Sequence, residues 1–344
     1  MAADDASNRR SEILRVEGAF LGSEPSQSIC IVTYERLEYL RRCLTSIRGS
    51  VDATTQIIVV DASRTSAREM LDPSWNALMY FHKPELAGWM TRARNEALRH
   101  ADGEVISFLD DDVVVSNHWQ SAIRSAFLDD SIQSLAGRTR NGLAGEEEYP
   151  LPIGRLQPDG TLTAGFASLP DKLTNVDHGI GANMSFRRSL LARLGGFRDD
   201  YPGTAMREDT DIFLRARRLG VQSVFAPDAV VDHLPAPHVR GARFDTRYKL
   251  YGRRNHVVLL ARDSGIGSTI LRRWVVVQFR SVAAAPTLLR RIRRLGVVTA
   301  GVVWGFAAAL RQASWGATSP VRSDALGQEL SAVLGRAGPA DSSA

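Results

Sequence analysis

Three groups of acidic residues have the residue types and the spacing that metal binding or proton transfer requires. The first is Asp110–Asp112, which directly follows the apolar segment Ile106–Leu109. Open α/β sheets bind ligands at the carboxyl ends of their strands, where this run would lie. Adjacent carboxylates repel one another, and a hard divalent cation relieves that repulsion while it binds diphosphate oxygens. A solvated loop at a helix N-terminus explains the same residues without a metal, because acidic side chains favour that end of the helix dipole.

The other two acidic groups are less specific when each is taken alone. Asp61 directly follows the apolar segment IIVV, where a carboxylate can accept hydrogen bonds from a base or a ribose, although Asp-Ala-Ser is also common in turns. Glu208, Asp209 and Asp211 lie in the first turn of a predicted helix. Helix capping accounts for two of these three acids, and a general base held near a hydroxyl group is the functional alternative.

Short β-branched runs that alternate with helical patterns position these groups. Buried parallel strands are predicted at 28–33, 56–60, 77–81 and 104–109. Helices are predicted between the first two strands and on both sides of the fourth, and order resumes after Gly181 with helices near 189–194 and 208–219 and a strand near 221–225. The alternation predicts an α/β fold with a doubly wound, mostly parallel sheet and flanking helices.

The ends and the middle of the chain lack this alternation. Residues 1–27 and 317–344 are rich in Ala, Ser, Gly, Pro and charge, which predicts a flexible N-terminal tail and a disordered C-terminal tail. Residues 139–178 are rich in Gly, Pro and acidic side chains, which predicts a long excursion that acts as a lid or a substrate loop. One α/β domain is therefore expected over 28–262.

The C-terminal part, residues 263–316, is predicted to form basic amphipathic helices. Residues 240–311 hold 14 arginines and one lysine against two aspartates, whereas the rest of the chain is net acidic. The uncharged segment 295–310 would reach about 24 Å as a helix, less than the ~30 Å hydrocarbon core of a bilayer, so a buried or interfacial helix fits it better than a span. We expect contact with an anionic membrane surface. A helical subdomain packed on the core and a dimer interface are the alternatives, and the oligomeric state stays open.

Taken together, the acidic groups and their surroundings resemble family 2 glycosyltransferases of the GT-A fold. The resemblance extends from Ser28 to Ala261, about two thirds of the chain, and its segments occur in the family's order. They are Ile31–Arg36 (IVTYER), Ile57–Ser63 (IIVVDAS), Ala87–Leu98 (AGWMTRARNEAL), Phe108–Asp112 (FLDDD), Gly181–Arg188 (GANMSFRR), Leu194–Phe197 (LGGF), Glu208–Arg215 (EDTDIFLR) and Val230–His233 (VVDH). No single segment is specific, but the eight in this order are.

The resemblance implies a metal-dependent, inverting transfer of a sugar from a nucleoside-diphosphate sugar to a hydroxyl acceptor, which is a glycan, a glycolipid or a lipid-linked intermediate. The residues that it implies for binding the nucleotide sugar are Thr33, Tyr34, Glu35, Asp61, Arg94, Asp110 and Asp111. It assigns Asp110 and Asp112 to Mn²⁺ or Mg²⁺, with His233 as a further ligand; a purely structural histidine is the alternative at that position. It implies that Asp209 is the catalytic base, with Glu208 and Asp211 on the acceptor side.

Three local features refine what the resemblance implies. Glu35 stands where many members of the family have Asn, which leaves the base of the donor open. The Gln-x-x-Arg-Trp signature of processive synthases is missing, because Ile270 occupies the glutamine position before Arg273-Trp274, so single transfers are expected. The segment Arg247–Arg262 resembles the acceptor-side helix of non-processive relatives, where basic residues would face a phosphorylated or lipid-linked acceptor.

Two other functions share part of this pattern. A metal-dependent nucleotidyltransferase would also have the sheet and the acidic site, but the segment IVTYERLEYL lacks the Gly-rich loop and the lysine that it needs. A membrane-associated scaffold with a vestigial nucleotide pocket would not need the intact Asp110, Asp112 and Asp209. Binding to nucleic acid is not expected, since no motif for it occurs. Only two cysteines and no apolar leader-like run in the first 27 residues predict a cytoplasmic protein, peripheral on the inner face of the membrane.

Overall fold

A nine-stranded sheet positions the acidic groups of the sequence. The computed structural model describes residues 25–71, 78–202, 206–236, 245–312 and 319–336. The strands are β1 (Gln27–Thr33), β2 (Gln56–Asp61), β3 (Leu78–His82), β4 (Val105–Asp110), β5 (Val113–Val115), β6 (Ser134–Arg140), β7 (Thr174–Val176), β8 (Asn183–Arg187) and β9 (Ser223–His233). The α-helices are α1 (Leu37–Arg48), α2 (Met90–Leu98), α3 (Trp119–Ala126), α4 (Arg188–Leu194), α5 (Glu208–Arg218), α6 (Thr246–Ser264), α7 (Thr269–Ala283), α8 (Leu288–Gln312) and α9 (Ala325–Leu334).

The strand order brings the ends of distant strands together. Strands β3, β2, β1 and β4 are parallel neighbours in that order, and β8 runs antiparallel to both β4 and β6. The register aligns Thr33 with Asp61 and Val32 with Asp110, so β1, β2 and β4 end side by side. Strand β5 pairs antiparallel with β9, which places His233 opposite Val113. Asp61, Asp110 and His233 therefore lie at the same end of the sheet.

Apolar residues on the two faces of the sheet form separate cores. In β1, Cys30 packs into a cluster with α2, α4, α5 and α9, whereas Ile29 and Ile31 pack into a second cluster with α1 and α3. This alternation follows from the two-residue period of a strand. Helices cover both faces, which confirms the predicted doubly wound α/β fold.

Element boundaries differ from the prediction at the N-terminal tail and at β9. The predicted N-terminal tail ends earlier than expected, because Gln27 already belongs to β1 and its amide donates to Ser107 Oγ at 2.7 Å; residues 1–24 lie outside the described residues. Strand β9 extends from 223 to 233 instead of 221–225, since the Pro-Asp pair that suggests a turn forms a bulge against β6. The excursion 139–178 is irregular as predicted, apart from β7 and an isolated bridge between Leu156 and Leu162.

The prediction of a disordered tail is wrong for residues 319–336, which pack on the α/β domain. Helix α9 buries Leu330 completely, and the Asp324 side chain caps its first turn. The Arg322 side chain donates to the Phe197 carbonyl, so the segment is also held by a buried hydrogen bond. Composition alone did not predict this short amphipathic helix, because the segment is rich in Ala, Ser and Gly.

Helices α6, α7 and α8 share a third apolar cluster, which includes Val257, Trp274 and Val302. Two glycines let α8 approach α6 closely. A Cβ atom at Gly301 would lie 2.8 Å from the Cβ of Arg253, and one at Gly305 would lie 2.6 Å from the Cβ of Val257. Any larger residue at either glycine would therefore push the two helices apart.

Helix α8 is longer than the uncharged segment 295–310 suggested. It has 25 residues and begins at Leu288, because the four arginines before that segment continue the helix. Among the described residues it is the one helix long and apolar enough to cross a membrane. One face packs against α6, while Ile292, Val303 and Leu310 on the other face are exposed.

Candidate active site

Two carboxylates and an imidazole form a candidate metal site. Asp110 ends β4, Asp112 lies in the turn that follows, and His233 ends β9. One ligand atom from each lies within 4.8 Å of the others. The buried Oδ1 of Asp112 lies 3.3 Å from His233 Nε2 and accepts no hydrogen bond within the described residues. A buried carboxylate oxygen without a hydrogen bond, next to a second carboxylate and an imidazole, fits a divalent cation such as Mn²⁺ or Mg²⁺.

Asp111 is held on the inner side of this cluster. Its Oδ2 accepts a hydrogen bond from Thr33 Oγ1 at 2.6 Å, and its Oδ1 accepts one from Arg36 Nη1 at 3.1 Å. The same Nη1 donates to Asp112 Oδ2 at 2.9 Å. Burial raises the pKa of Asp111 to about 7, with a further contribution from Asp112 and opposition from Arg36. The sequence indicated Arg36 only as the last residue of IVTYER, but its guanidinium forms ion pairs with two of the three aspartates.

Tyr34 and Glu35, predicted to contact the nucleoside, follow β1. Tyr34 is half-buried, and Glu35 has a φ of 56°. Asn adopts this left-handed conformation more easily than Glu does. Glu35, which stands where many family members have Asn, therefore costs conformational energy. Glu35 Oε1 accepts hydrogen bonds from the backbone N–H of Arg64 at 3.1 Å and from its Nε at 2.9 Å, and these bonds lower the pKa of Glu35.

Asp61 lies next to Thr33 in register, but its carboxylate is fully buried. Its Oδ1 accepts from the Ser63 N–H at 2.8 Å, and its Oδ2 accepts from the Tyr80 hydroxyl at 2.5 Å. In this structure Asp61 therefore shapes the loop after β2 and presents no exposed oxygen to a nucleoside.

Arg94 connects the candidate metal site to α5. Its guanidinium is buried and donates to Glu208 Oε1 at 2.8 Å, to Asp110 Oδ1 at 3.1 Å and to the Gly181 carbonyl at 3.2 Å. Burial and the neighbouring Asp209 raise the pKa of Glu208 to about 8, although Arg94 opposes this shift. Glu208 is therefore mostly protonated at neutral pH, and the charge of Arg94 balances Asp110.

Asp209 lies in a cleft of about 510 Å³ between the excursion, the start of α5, and helices α6 and α7. Two backbone groups orient its carboxylate: the Gly181 N–H donates to Oδ2 at 3.2 Å, and the Thr210 N–H donates to Oδ1 at 2.7 Å. The other lining residues with polar or aromatic side chains are Thr161, Thr163, Phe166, His178, Arg207, Tyr248, Lys249, Arg253, His256, Trp274 and Gln278. A larger cavity, of about 740 Å³ beside α3 and β6, contains none of the predicted site residues.

A stacked histidine and tryptophan form part of the cleft wall. The rings of His256 and Trp274 have centroids 4.5 Å apart and lie 16° from parallel. His256 Nδ1 accepts from Arg207 Nε at 3.0 Å, and Nε2 donates to the Gly160 carbonyl at 2.8 Å. Burial and the charge of Arg207 hold the pKa of His256 well below its usual value, so the ring is neutral. Sequence reasoning missed this pair, because only the docking of α6 on α7 brings them together.

Asp211 lies in the protein core instead of the cleft. Its side chain is 3% exposed, its Oδ1 accepts from Arg198 Nη1 at 3.1 Å and from the Tyr201 hydroxyl at 2.9 Å, and Arg215 lies 3.6 Å away. Two residues along a helix correspond to a rotation of about 200°, so Asp211 points away from the side that Asp209 occupies. Its predicted place on the acceptor side is therefore wrong, and it stabilises the start of α5.

The fold is of the GT-A class, as the sequence predicted. A solved mannosyltransferase from Pyrobaculum calidifontis, in complex with GDP-Man and Mn²⁺, superposes with a TM-score of 0.52 at 18% identity over 91% of this chain and 86% of that one. A solved GalNAc-T7, with UDP, GalNAc and Mn²⁺, has a TM-score of 0.58 at 15% identity over 86% of this chain and 58% of that one. Residues 28–195 match the family model for glycosyl transferase family 2.

Two curated relatives match a little over half of the chain. The O-antigen biosynthesis protein RfbC of Myxococcus xanthus is 26% identical over 204 residues, which are 57% of this chain and 15% of that protein. The pre-mycofactocin glycosyltransferase of Mycobacterium tuberculosis is 27% identical over 198 residues, which are 56% of this chain and 39% of that protein. The chain thus spans well under half the length of these relatives.

Proposed function

We propose that the protein transfers one sugar at a time, with inversion, from a nucleoside-diphosphate sugar to a hydroxyl acceptor in a metal-dependent reaction. The observation that carries this proposal is the arrangement around Arg94. On one side of it lie the candidate metal ligands, and on the other lies the Asp209 cleft. The neighbours solved with GDP-Man, or with UDP and GalNAc, and with Mn²⁺ support the donor class. The match to an O-antigen biosynthesis protein supports a role in making a cell-envelope glycan.

The donor side is built to hold a diphosphate. Asp110, Asp112 and His233 would hold Mn²⁺ or Mg²⁺, which neutralises the charge that develops on a departing diphosphate. Arg36 and Arg94 keep the aspartates in place through the hydrogen bonds described above. The loops after β1 and β2, which include Glu35, would surround the nucleoside.

The acceptor side is built around Asp209. Its carboxylate takes the proton of the acceptor hydroxyl while that oxygen forms a bond to the anomeric carbon, and the bond from that carbon to the diphosphate oxygen breaks with its electron pair. Attack from the face opposite the leaving group inverts the anomeric configuration. The hydrogen bonds from the N–H groups of Gly181 and Thr210 fix the carboxylate for this step.

The test is Asp209→Asn, with Asp228→Asn as the control because Asp228 is an exposed carboxylate. A donor panel of UDP-, GDP- and TDP-sugars is supplied with Mn²⁺, and release of nucleoside diphosphate is followed with water as the acceptor. Asp209→Asn should lower this rate by about 100-fold or more while metal-dependent nucleotide binding persists. Proton NMR of the first sugar released should show the inverted anomer. An unchanged rate in Asp209→Asn, or a retained anomer, would rule out this mechanism.

We also propose that the exposed face of α7 and α8 binds the inner, anionic surface of a membrane, so that the enzyme is peripheral and cytoplasmic. Ile292, Val303 and Leu310 are exposed on α8, and exposed arginines crowd its first turns. Apolar side chains that enter the interface together with arginines near anionic lipid suit such a surface. The opposite face of α8 is already packed on α6, which favours peripheral contact over a span.

The membrane proposal is tested by co-sedimentation with phosphatidylcholine vesicles, with and without phosphatidylglycerol. Arg290→Gln should weaken binding to the anionic vesicles by about fivefold, since one well-placed basic residue contributes about 1 kcal/mol. Arg42→Gln removes an exposed charge from α1 and should change nothing. Equal binding to both kinds of vesicle, or none to either, would refute an anionic surface as the partner.

A further inference from the structure

We propose that His256 is a positioning residue for the transfer, because its hydrogen bond with Arg207 holds the turn that places Asp209 in the cleft. This inference rests on the proposed glycosyl transfer and adds a residue of α6 to the groups that support its base. It comes from a left-handed backbone conformation shortly before the base, from the one side-chain bond that holds it, and from the three elements that fix the imidazole.

Arg207 has a backbone conformation that is unfavourable for an arginine. It directly precedes the first turn of α5, and its φ is 86° with a ψ of −1°. A residue with a Cβ atom avoids this region, whereas glycine adopts it freely. The residue before a helix usually has an extended backbone and caps the helix with its side chain, and the Arg207 side chain does not cap α5. Helix capping therefore does not explain the conformation.

The conformation of Arg207 directs the two acids that follow it. Glu208 turns towards Arg94, which donates to its Oε1 at 2.8 Å, while Asp209 lines the cleft. The backbone carbonyl of Arg207 accepts from the Asp211 N–H at 2.8 Å, which starts the helix at this point. A different φ at Arg207 would rotate the chain that carries both acids. The orientation of Asp209 therefore depends on this angle.

One side-chain bond opposes relaxation of this turn. The Nε of Arg207 donates to His256 Nδ1 at 3.0 Å, and within the described residues the Arg207 side chain makes no other hydrogen bond. If φ returned to an ordinary value, the Cα–Cβ bond of Arg207 would point elsewhere and the hydrogen bond would break. The bond to His256 therefore stabilises the left-handed conformation over the relaxed one.

The imidazole of His256 is a well-fixed acceptor for this bond. It is buried, its ring stacks on Trp274, and its Nε2 donates to the Gly160 carbonyl at 2.8 Å. Gly160 has a φ of 80°, and a Cβ atom there would lie 2.7 Å from the Cβ of Trp274, so the excursion packs closely against α7 at this point. Helices α6 and α7 and the excursion thus hold the ring, and an acceptor that is already ordered loses little entropy when it binds Arg207.

The first test compares two substitutions of Arg207 by the rate of nucleoside diphosphate release from the donor panel with Mn²⁺. Arg207→Leu keeps the unfavourable conformation and removes the bond, so kcat should fall about tenfold. Arg207→Gly also removes the bond, but glycine adopts this φ without help, so kcat should fall less than about threefold. An equal loss in the two variants, or no loss in Arg207→Leu, overturns the inference. An equal loss would mean that the guanidinium itself acts on the substrate.

The second test removes the acceptor instead of the donor. His256→Phe keeps a flat ring against Trp274 but has no nitrogen, so kcat should fall about tenfold in the wild type and no further in the Arg207→Gly background. His256→Gln has an oxygen that accepts from Arg207 and should retain most of the rate. His118→Phe, which replaces an exposed histidine outside the cleft, should change nothing. An equal loss from His256→Phe in both backgrounds, or a loss in His256→Gln as large as in His256→Phe, overturns the inference.

Two further measurements separate this inference from the proposed transfer. The donor KM should stay within about twofold of the wild type in every variant, because a positioning residue for the base acts on kcat rather than on donor binding. Asp209→Asn is assayed on the same day. If Asp209→Asn keeps the wild-type rate, the proposed transfer fails and the inference with it. If Asp209→Asn loses its rate while Arg207→Leu and Arg207→Gly lose equally, only the role of His256 fails.

Discussion

Replacing Arg94 with methionine tests how the two halves of the site are held together. The guanidinium is fully buried and joins Glu208 to Asp110. Removing one partner of a buried ion pair typically costs about 3–5 kcal/mol, because the other partner is left without compensation. Glu208 limits that cost, since its pKa of about 8 lets it keep a proton at neutral pH. We therefore expect Arg94→Met to lower the free energy of unfolding by about 3 kcal/mol at neutral pH.

The same variant should change how stability depends on pH. Glu208 has an ordinary pKa of 4.5 and a pKa of about 8 in the folded protein. Its contribution to stability is therefore complete below pH 4.5 and is lost as the pH rises towards 8. Without Arg94 the folded pKa rises further, so the loss should continue above pH 8 at up to about 1 kcal/mol per pH unit. Glu208→Gln cannot ionise and should remove this slope in both backgrounds.

The measurement is urea unfolding followed by tryptophan fluorescence, without nucleotide or metal, at neutral pH and near pH 9. The wild type, Arg94→Met, Glu208→Gln and the double variant form one cycle. Arg92→Met is the control, since its side chain lies on the same helix but is 44% exposed, and it should cost less than about 1 kcal/mol. The reasoning is refuted if Arg94→Met costs no more than this control, or if its slope above pH 8 persists when Glu208 is glutamine.

Three further substitutions test other parts of the structure. Asp112→Asn should abolish the Mn²⁺-dependent part of the thermal stabilisation by nucleoside diphosphate, which is about 2.7 kcal/mol at 100 times the dissociation constant. The control Asp228→Asn should keep this stabilisation. Equal thermal shifts in the two variants would argue against the metal site. Leu330→Ala should cost about 3 kcal/mol in urea unfolding, because that side chain is completely buried, and an unchanged midpoint would contradict the packing of α9. His100, whose Nε2 lies 3.9 Å from Glu96 Oε1, lowers the pKa of Glu96 from 4.5 to about 2 together with Lys83 and Arg99. The contribution of Glu96 to stability is therefore present above pH 4.5 and lost as the pH falls towards 2. Glu96→Gln should therefore be about 1 kcal/mol less stable than the wild type at neutral pH, with the difference gone near pH 2; a difference that persists in acid would exclude this origin.

Residues at strand ends could be placed from the sequence, and residues brought together by helix docking could not. Asp110 and Asp112 follow an apolar run, so their position at the end of a strand follows from local pattern alone. His233 reaches them only because β9 pairs with β5 in the observed register. The resemblance implied His233 as a metal ligand, but no local pattern in the sequence predicts this pairing. Asp211 was misplaced because acidic residues in one helical turn look alike, although their directions differ by about 100° per residue. The cleft position of Trp274 depends on how α7 packs against α6, and single-sequence periodicity carries no information on that packing.

The close contact at Gly301 and Gly305 has a consequence for exchanging acceptor specificity between relatives. Each glycine lies against an α6 residue, and one of those residues, Arg253, also lines the Asp209 cleft. A chimera that imports α6 alone would set a foreign surface against these glycines and lose the spacing between the two helices. Residues 245–312 should therefore be exchanged between relatives as one unit. An enzyme engineered for a new acceptor by replacing α6 also needs the matching α8.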